Sequence, residues 1–246
     1  MTIKIREFYS PNFDKRPRKR KFIKYLIFHY TGMKSENAAI KRLTKIQSEV
    51  STHYFVKKSG EVLRMVPDLY IAWHAGVSQW RKHKLLNKNS IGIEISNPGH
   101  QNGYIPFSKK QIKSTIKLSK ILIKKYKIKN YDILGHSDIA PERKKDPGEK
   151  FPWKILYKNK IGIWHNLSKN KLSPLRRISV SSKQIKSCIT SLKKLGYPKS
   201  SIVYKKKRYE TLLIKAFQRR FRPELIDGKI DQECLAILNK IKSFRQ

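Results

Sequence analysis

From Tyr25 the chain reads Tyr-Leu-Ile-Phe-His-Tyr, a nearly continuous apolar run stopped by Thr31-Gly32. Such a run predicts a strand buried on both faces. Ser35 then predicts the cap of a helix, with Ala39, Leu43, Ile46 and Val50 at the i, i+4, i+7, i+11 spacing of one apolar stripe. His53-Tyr54-Phe55-Val56 and Val62 to Val66, separated by Lys58-Ser59-Gly60-Glu61, predict a hairpin. Ile91-Gly92-Ile93-Glu94-Ile95-Ser96 alternates strictly, so its isoleucines share one strand face and Glu94 takes the other. Ser108 and Gln111 stand as a capping box before a helix reaching about Tyr126, and Tyr131 to Leu134 forms a further short strand ending in Gly135-His136.

Strands alternating with helices predict an α/β domain with a mixed, largely parallel central sheet flanked by helices. It spans residues 22–165. Before it, residues 1–21, with Pro11, Pro17 and the basic run Arg16 to Lys21, read as a solvated N-terminal arm. After it, residues 166–181 read as a linker. Residues 182–246 read as a small three-helix module: a capping box at Ser181 and Gln184 opens the first helix, Leu213, Ile214, Phe217 and Phe221 mark the second, and Asp231 caps a third carrying Leu235, Leu238 and Ile241.

Composition narrows the class. The 246 residues hold 57 Lys and Arg against 17 Asp and Glu, a formal net charge of +40, which attracts polyanions of any kind. The basic residues are spread along nearly the whole chain and are not interleaved with aromatics, so no specific nucleic-acid partner is expected. With 10 Phe, 12 Tyr and 4 Trp the chain has the bulky groups that disordered sequences lack. Lys or Arg breaks every apolar run, so no transmembrane segment is expected. The charged start, Met1 to Glu7, is unlike a secretory signal and points to the cytoplasm. Cys188 and Cys234 alone make neither a disulfide framework nor a cysteine metal site; both read as buried thiols.

His29 and His136 each end a buried apolar strand, at the sheet edge where α/β proteins bind ligands. A loop carboxylate, Asp138 or Asp146, would complete a two-histidine, one-carboxylate set with one position open for water. Spacing alone does not choose between the two aspartates, nor between a metal site and two hydrogen-bonded core histidines.

Five blocks go further together: Leu26 to Gly32, Ser51 to Val56, Ala72-Trp73-His74-Ala75-Gly76, Ile91 to Ile95, and Gly135 to Pro141 continuing through Lys144-Lys145-Asp146-Pro147-Gly148. In order and spacing they resemble the zinc-dependent N-acetylmuramoyl-L-alanine amidases of the AmiD type, relatives of phage lysozyme-type amidases and of peptidoglycan recognition proteins. Ala216 to Pro223 with Asp227 to Asp231 resembles the three-helix peptidoglycan-binding module that follows the catalytic domain in such enzymes.

The resemblance implies a Zn2+ held by His29, His136 and Asp146, a catalytic Glu94 and a transition-state-stabilising Lys144. It implies hydrolysis of the amide between the lactyl group of N-acetylmuramic acid, its 1,6-anhydro form included, and L-alanine of the stem peptide, in cell-wall turnover or muropeptide recycling. Peptidoglycan or muropeptides would be the partners, the chain is expected to be a monomer, and the resemblance points to the cell envelope or periplasm. His74, Tyr54, Trp80 and Asn97 are candidates for holding substrate. The rival is a non-catalytic peptidoglycan-recognition module on the same fold, which would lack Glu94 or Asp146; neither is missing.

Overall fold

The computed structural model describes residues 3–200 and 204–245. The described residues form ten strands: β1 (Ile5–Glu7), β2 (Phe13–Asp14), β3 (Tyr25–Tyr30), β4 (Tyr54–Val56), β5 (Val62–Arg64), β6 (Ile71–Ala72), β7 (Gln79–Trp80), β8 (His83–Lys84), β9 (Ser90–Ile95) and β10 (Ile133–Gly135). Six of them build the central sheet in the order β1-β5-β4-β9-β3-β10. β4, β9, β3 and β10 run parallel, and β5 is antiparallel to β4 as the hairpin pattern predicts.

Helices α1 (Glu36–Thr44), α2 (Lys109–Tyr126), α3 (His136–Ile139) and α4 (Trp153–Lys158) complete the α/β part. The capping box at α2 is formed, with Ser108 Oγ accepting from Gln111 N–H at 3.1 Å and Gln111 Oε1 accepting from Ser108 N–H at 3.0 Å. The stripe that began at Ala39 stops early. α1 ends at Thr44, a 3-10 turn follows, and Ile46 lies 61% exposed.

The N-terminal residues are not a free arm. β1 pairs in parallel with β5, and Phe8 and Ser10 N–H continue the ladder to the carbonyls of Arg64 and Met65. Without β1, β5 would present an open edge of unpaired backbone groups. Arg18, within the basic run, is 8% exposed and donates to the carbonyls of Asn87 and Asp68. Charge suggested solvation; unsatisfied carbonyls beneath the run draw the guanidinium inward instead.

The segment taken as a linker is ordered as well. It holds α5 (Lys169–Leu172), Leu172 is buried, and Arg176 makes two hydrogen bonds to Glu233, at 2.6 and 2.9 Å. The tail consists of α6 (Ser182–Leu195), α7 (Lys206–Phe221) and α8 (Gln232–Lys242), the three helices expected. Leu192, Leu213, Phe217 and Ile237 belong to the same continuous apolar core as Ile27, Ile93 and Leu134. A buried ion pair crosses the seam: Arg220 Nη1 donates to Asp138 Oδ2 at 2.6 Å, and Tyr197 Oη donates to Asp138 Oδ1 at 2.9 Å. Cys188 and Cys234 are free and buried, and burial pushes both thiols up to about 12. Among the described residues no helix is long and apolar enough to cross a membrane.

Candidate metal centre

Register carries the site. In the parallel pairing of β3 with β9, His29 stands beside Glu94, so ligand and carboxylate share one face on neighbouring strands. On the other flank Gly135 pairs with Phe28, which brings His136, the next residue, alongside His29. Asp146 arrives from the loop after α3, whose end is tied by Ser137 N–H donating to Asp146 O at 2.8 Å.

His29 Nδ1 lies 2.9 Å from His136 Nδ1 and 3.0 Å from Asp146 Oδ2, and His136 Nδ1 lies 3.1 Å from that same oxygen. All three side chains are buried. The hydrogen-bond network decides which ring nitrogens carry protons. Ser90 Oγ donates to Leu86 O at 2.6 Å, so it accepts from His74 Nε2–H at 3.1 Å. His74 Nδ1 then has a lone pair and accepts from His29 Nε2–H at 3.0 Å. On the other side His136 Nε2–H donates to Ala75 O at 3.1 Å. Both Nδ1 atoms are left with lone pairs aimed at each other and at a carboxylate oxygen.

Three acceptors facing one another at about 3 Å repel unless a cation lies among them. A tetrahedral zinc with ligands at ~2.0–2.1 Å has ligand–ligand edges of about 3.3 Å, close to this triangle. The donor set therefore fits a metal ion of the N/O-preferring kind. Electrostatics agree. Burial, then the neighbouring His136, lowers His29 to about 4, keeping it neutral as a ligand must be.

Two corners of the triangle, His136 and Asp146, line a cleft of about 450 Å³, along whose walls Glu94, Lys144, Tyr30 and Trp73 lie. Glu94 Oε2 is buried and has no hydrogen-bond partner among the described residues. Its burial, and then the charge of Asp146, push its carboxyl well above the ordinary value, with Lys144 opposing. Lys144 is half-buried, whereas Arg143 and Lys145 on either side are exposed.

The four candidate substrate contacts fare differently. His74 lines the cleft, but both of its ring nitrogens are engaged by His29 and Ser90, so it orients the His29 ring. Its ring packs against Gly92, where a Cβ would come within 2.5 Å of His74 Cγ; only glycine leaves that space. Tyr54 is buried away from the cleft, its hydroxyl donating to Asp68 Oδ1 at 2.5 Å. Trp80 packs on Tyr197 at the seam with the tail, with ring centroids 5.1 Å apart. Asn97 is buried in a turn, its amide donating to Ile105 O and accepting from Gly99 N–H. These three are packing and turn residues: Tyr54 is tied to Asp68, Trp80 to the seam and Asn97 to backbone groups, and none of them lines the cleft. Sequence reasoning passed over Arg143, whose guanidinium donates to Ala75 O and Val77 O and pins the metal loop to the Ala75–Val77 segment. Only its adjacency to Lys144 marked it.

A sheet edge carrying two imidazoles and a carboxylate, with a buried glutamate and a lysine beside them, is the equipment of a hydrolase that activates water at a metal ion. The model of one family, N-acetylmuramoyl-L-alanine amidase, matches residues 18–149. The chain is 36% identical over 228 residues to the N-acetylmuramoyl-L-alanine amidase AmiD of Escherichia coli, covering 87% of this chain and 80% of that protein. It belongs to the N-acetylmuramoyl-L-alanine amidase family. Among solved structures, E. coli AmiD in complex with anhydro-N-acetylmuramic acid-L-Ala-D-gamma-Glu-L-Lys matches with a TM-score of 0.78 at 33% identity, covering 94% of this chain and 91% of that one. AmpDh3 of Pseudomonas aeruginosa, in complex with anhydromuramic pentapeptide, matches with a TM-score of 0.79 at 30% identity, covering 99% and 98%.

Proposed function

We propose that the chain hydrolyses the amide between the lactyl carbonyl of N-acetylmuramic acid, in its 1,6-anhydro form as well, and the L-alanine of the stem peptide, in cell-wall turnover or recycling. The observation that carries this reading is the buried triangle of His29 Nδ1, His136 Nδ1 and Asp146 Oδ2 beneath the unpartnered carboxylate oxygen of Glu94. The compounds bound in the two solved complexes, the first of them named as substrate, are of this chemical class.

His29, His136 and Asp146 would hold Zn2+, which when bound lowers the pKa of water from 15.7 towards ~7 and polarises the scissile carbonyl. Glu94 accepts the proton of the attacking water on its free Oε2 and returns it to the leaving α-amine of L-alanine, a role worth roughly 10²–10⁴-fold. Its raised affinity for a proton suits it to hold one between the two steps. Lys144 places an ammonium in the same cleft, where it favours the charge that develops on the carbonyl oxygen. His74 and Ser90 hold the tautomer of His29, and Ala75 O holds that of His136.

We assign the chemistry to residues 22–165 and a peptidoglycan-binding role to the three helices of residues 182–246. Incubation of the purified protein with a defined anhydromuramoyl tripeptide, read by mass spectrometry, should yield free tripeptide and anhydro-N-acetylmuramic acid. Metal analysis of the same sample should find about one zinc per chain. Intact substrate after incubation of zinc-loaded protein would rule the reading out.

A further inference from the structure

The cleft does not end at the metal loop. His100, Arg143, Lys144 and Lys145 also line a second groove of about 450 Å³, whose far wall is α7, through Lys215 and Arg219. Five cationic side chains face two carboxylates there, Glu142 and Glu149.

Arg219 is the unusual member. It is 8% exposed, and among the described residues its guanidinium makes no hydrogen bond; its Nε is fully buried and without a partner. The nearest carboxylate oxygen, Glu149 Oε2, stands 3.9 Å from that Nε and is already engaged by His100 Nε2 at 3.0 Å. The neighbouring Arg220 and Arg222, more deeply buried still, are matched by Asp138 and by Asp227, Asp231 and Glu233. Burying an unmatched guanidinium is costly, and a native structure keeps one where something else completes it.

We infer that this groove is a carboxylate subsite in which Arg219, assisted by Lys215, takes a free carboxylate of the substrate's peptide. The inference rests on the amidase reading above. In a substrate of the kind seen with the related amidase, the acid of the muramic moiety is consumed in the scissile amide, so the sugar side is neutral. The peptide side is not: a γ-linked glutamate leaves its α-carboxylate free, and the last residue adds another. A groove continuous with the metal cleft and lined by cations fits the peptide half. The C-terminal helices then supply part of the substrate site itself, in addition to any hold on the polymer.

The test uses the full-length protein and two ligands that differ only in charge: the tripeptide L-Ala-D-gamma-Glu-L-Lys and the same peptide with both carboxylates converted to amides. Binding of each is measured by calorimetry, and hydrolysis of the corresponding anhydromuramoyl conjugates is measured in parallel. Wild type should prefer the charged forms by about tenfold or more, in Kd and in KM more than in kcat, as expected for charge-assisted hydrogen bonds. Arg219→Gln should erase most of that preference, Arg219→Lys should restore part of it, and Lys215→Ala, which leaves the buried seam intact, should reduce it by a few-fold. Arg219→Gln should also keep or raise the melting temperature, since it removes an unmatched buried cation; an arginine with a merely structural role would lower it. Equal binding of charged and amidated peptides by wild type overturns the subsite, as does an equal loss on both ligands in Arg219→Gln. Discrimination in binding without hydrolysis of either conjugate would uphold the subsite and reject the amidase reading.

Discussion

Replacing His74 by phenylalanine should weaken zinc binding by about 10–100-fold while leaving all three proposed ligands in place. The ring keeps its shape against Gly92, where there is no room for a Cβ, but loses both nitrogens. His29 Nε2–H is then a buried donor without an acceptor, a penalty of roughly 1–3 kcal/mol. The imidazole escapes by moving its proton to Nδ1 and donating to Asp146 Oδ2, 3.0 Å away. A metal ion must now displace that proton, so the same 1–3 kcal/mol reappears as lost affinity, about one to two decades at 1.4 kcal/mol each. Loss of this size is usual when the hydrogen-bond partner of a ligating histidine is removed. Competition with a chromophoric chelator gives the zinc Kd directly, and saturating zinc should bring activity back to within a few-fold. Ser90→Ala breaks the next link and should cost less, since His74 then merely loses its preference for one tautomer. A Kd within twofold of wild type for His74→Phe would refute the directed chain from Leu86 O to His29.

Glu94→Gln should retain zinc yet lose a factor of ~10² or more in kcat with soluble substrate, because an amide cannot accept the proton; undiminished turnover would remove Glu94 from the chemistry. Lys144→Ala should lower kcat by more than Lys145→Ala does, given that Lys144 is half-buried in the cleft and Lys145 exposed; the opposite order, read in the same assay, would shift the assignment by one residue. Truncation after Lys171 should abolish cooperative melting or lower Tm steeply, since it uncovers core residues that touch Leu213 and Phe217 and leaves Asp138 as an unpaired buried charge, a loss of roughly 3–5 kcal/mol by itself; an unchanged melting curve would contradict the shared core. His53, lowered to about 3 by burial and then by Arg18, stays neutral in the folded state. Its depressed pKa contributes stability that is complete above about 6.5 and is lost as pH falls towards 3, at up to about 1.4 kcal/mol per pH unit. Urea midpoints across that window should show the slope, and His53→Gln should flatten it.

Periodicity and capping chemistry made the sheet and the long helices legible. The isoleucine alternation placed Glu94 opposite the core face, and each Ser and Gln pair marked a helix start that the structure forms. What escaped depended on contacts distant in sequence. Nothing local distinguishes Arg18 or Arg219 from dozens of solvated cations, because their burial is decided by carbonyls and helices far along the chain. Tyr54, Trp80 and Asn97 sit inside or near the motif blocks, yet a position in a motif does not say which way a side chain faces. For Tyr54 the deciding partner was Asp68, and for Trp80 it was Tyr197, more than a hundred residues on.

His29 and Glu94 sit on adjacent parallel strands, and His136 directly follows a third, although His29 and His136 lie 107 residues apart in the chain. Parallel neighbours must be joined by crossovers, so much of the chain between the strands, the His74 segment excepted, is detachable from the chemistry in a way that a hairpin would not allow. Insertions in the crossovers away from His74 and Ala75 lengthen the protein without moving a nitrogen or an oxygen. A single-residue insertion within β9, by contrast, would turn Glu94 to the opposite face and put an isoleucine where the carboxylate belongs. Descendants of such a sequence are free to diverge in the long connections and confined in a handful of short strings, and an engineer has the same latitude: loops for specificity, strands left untouched.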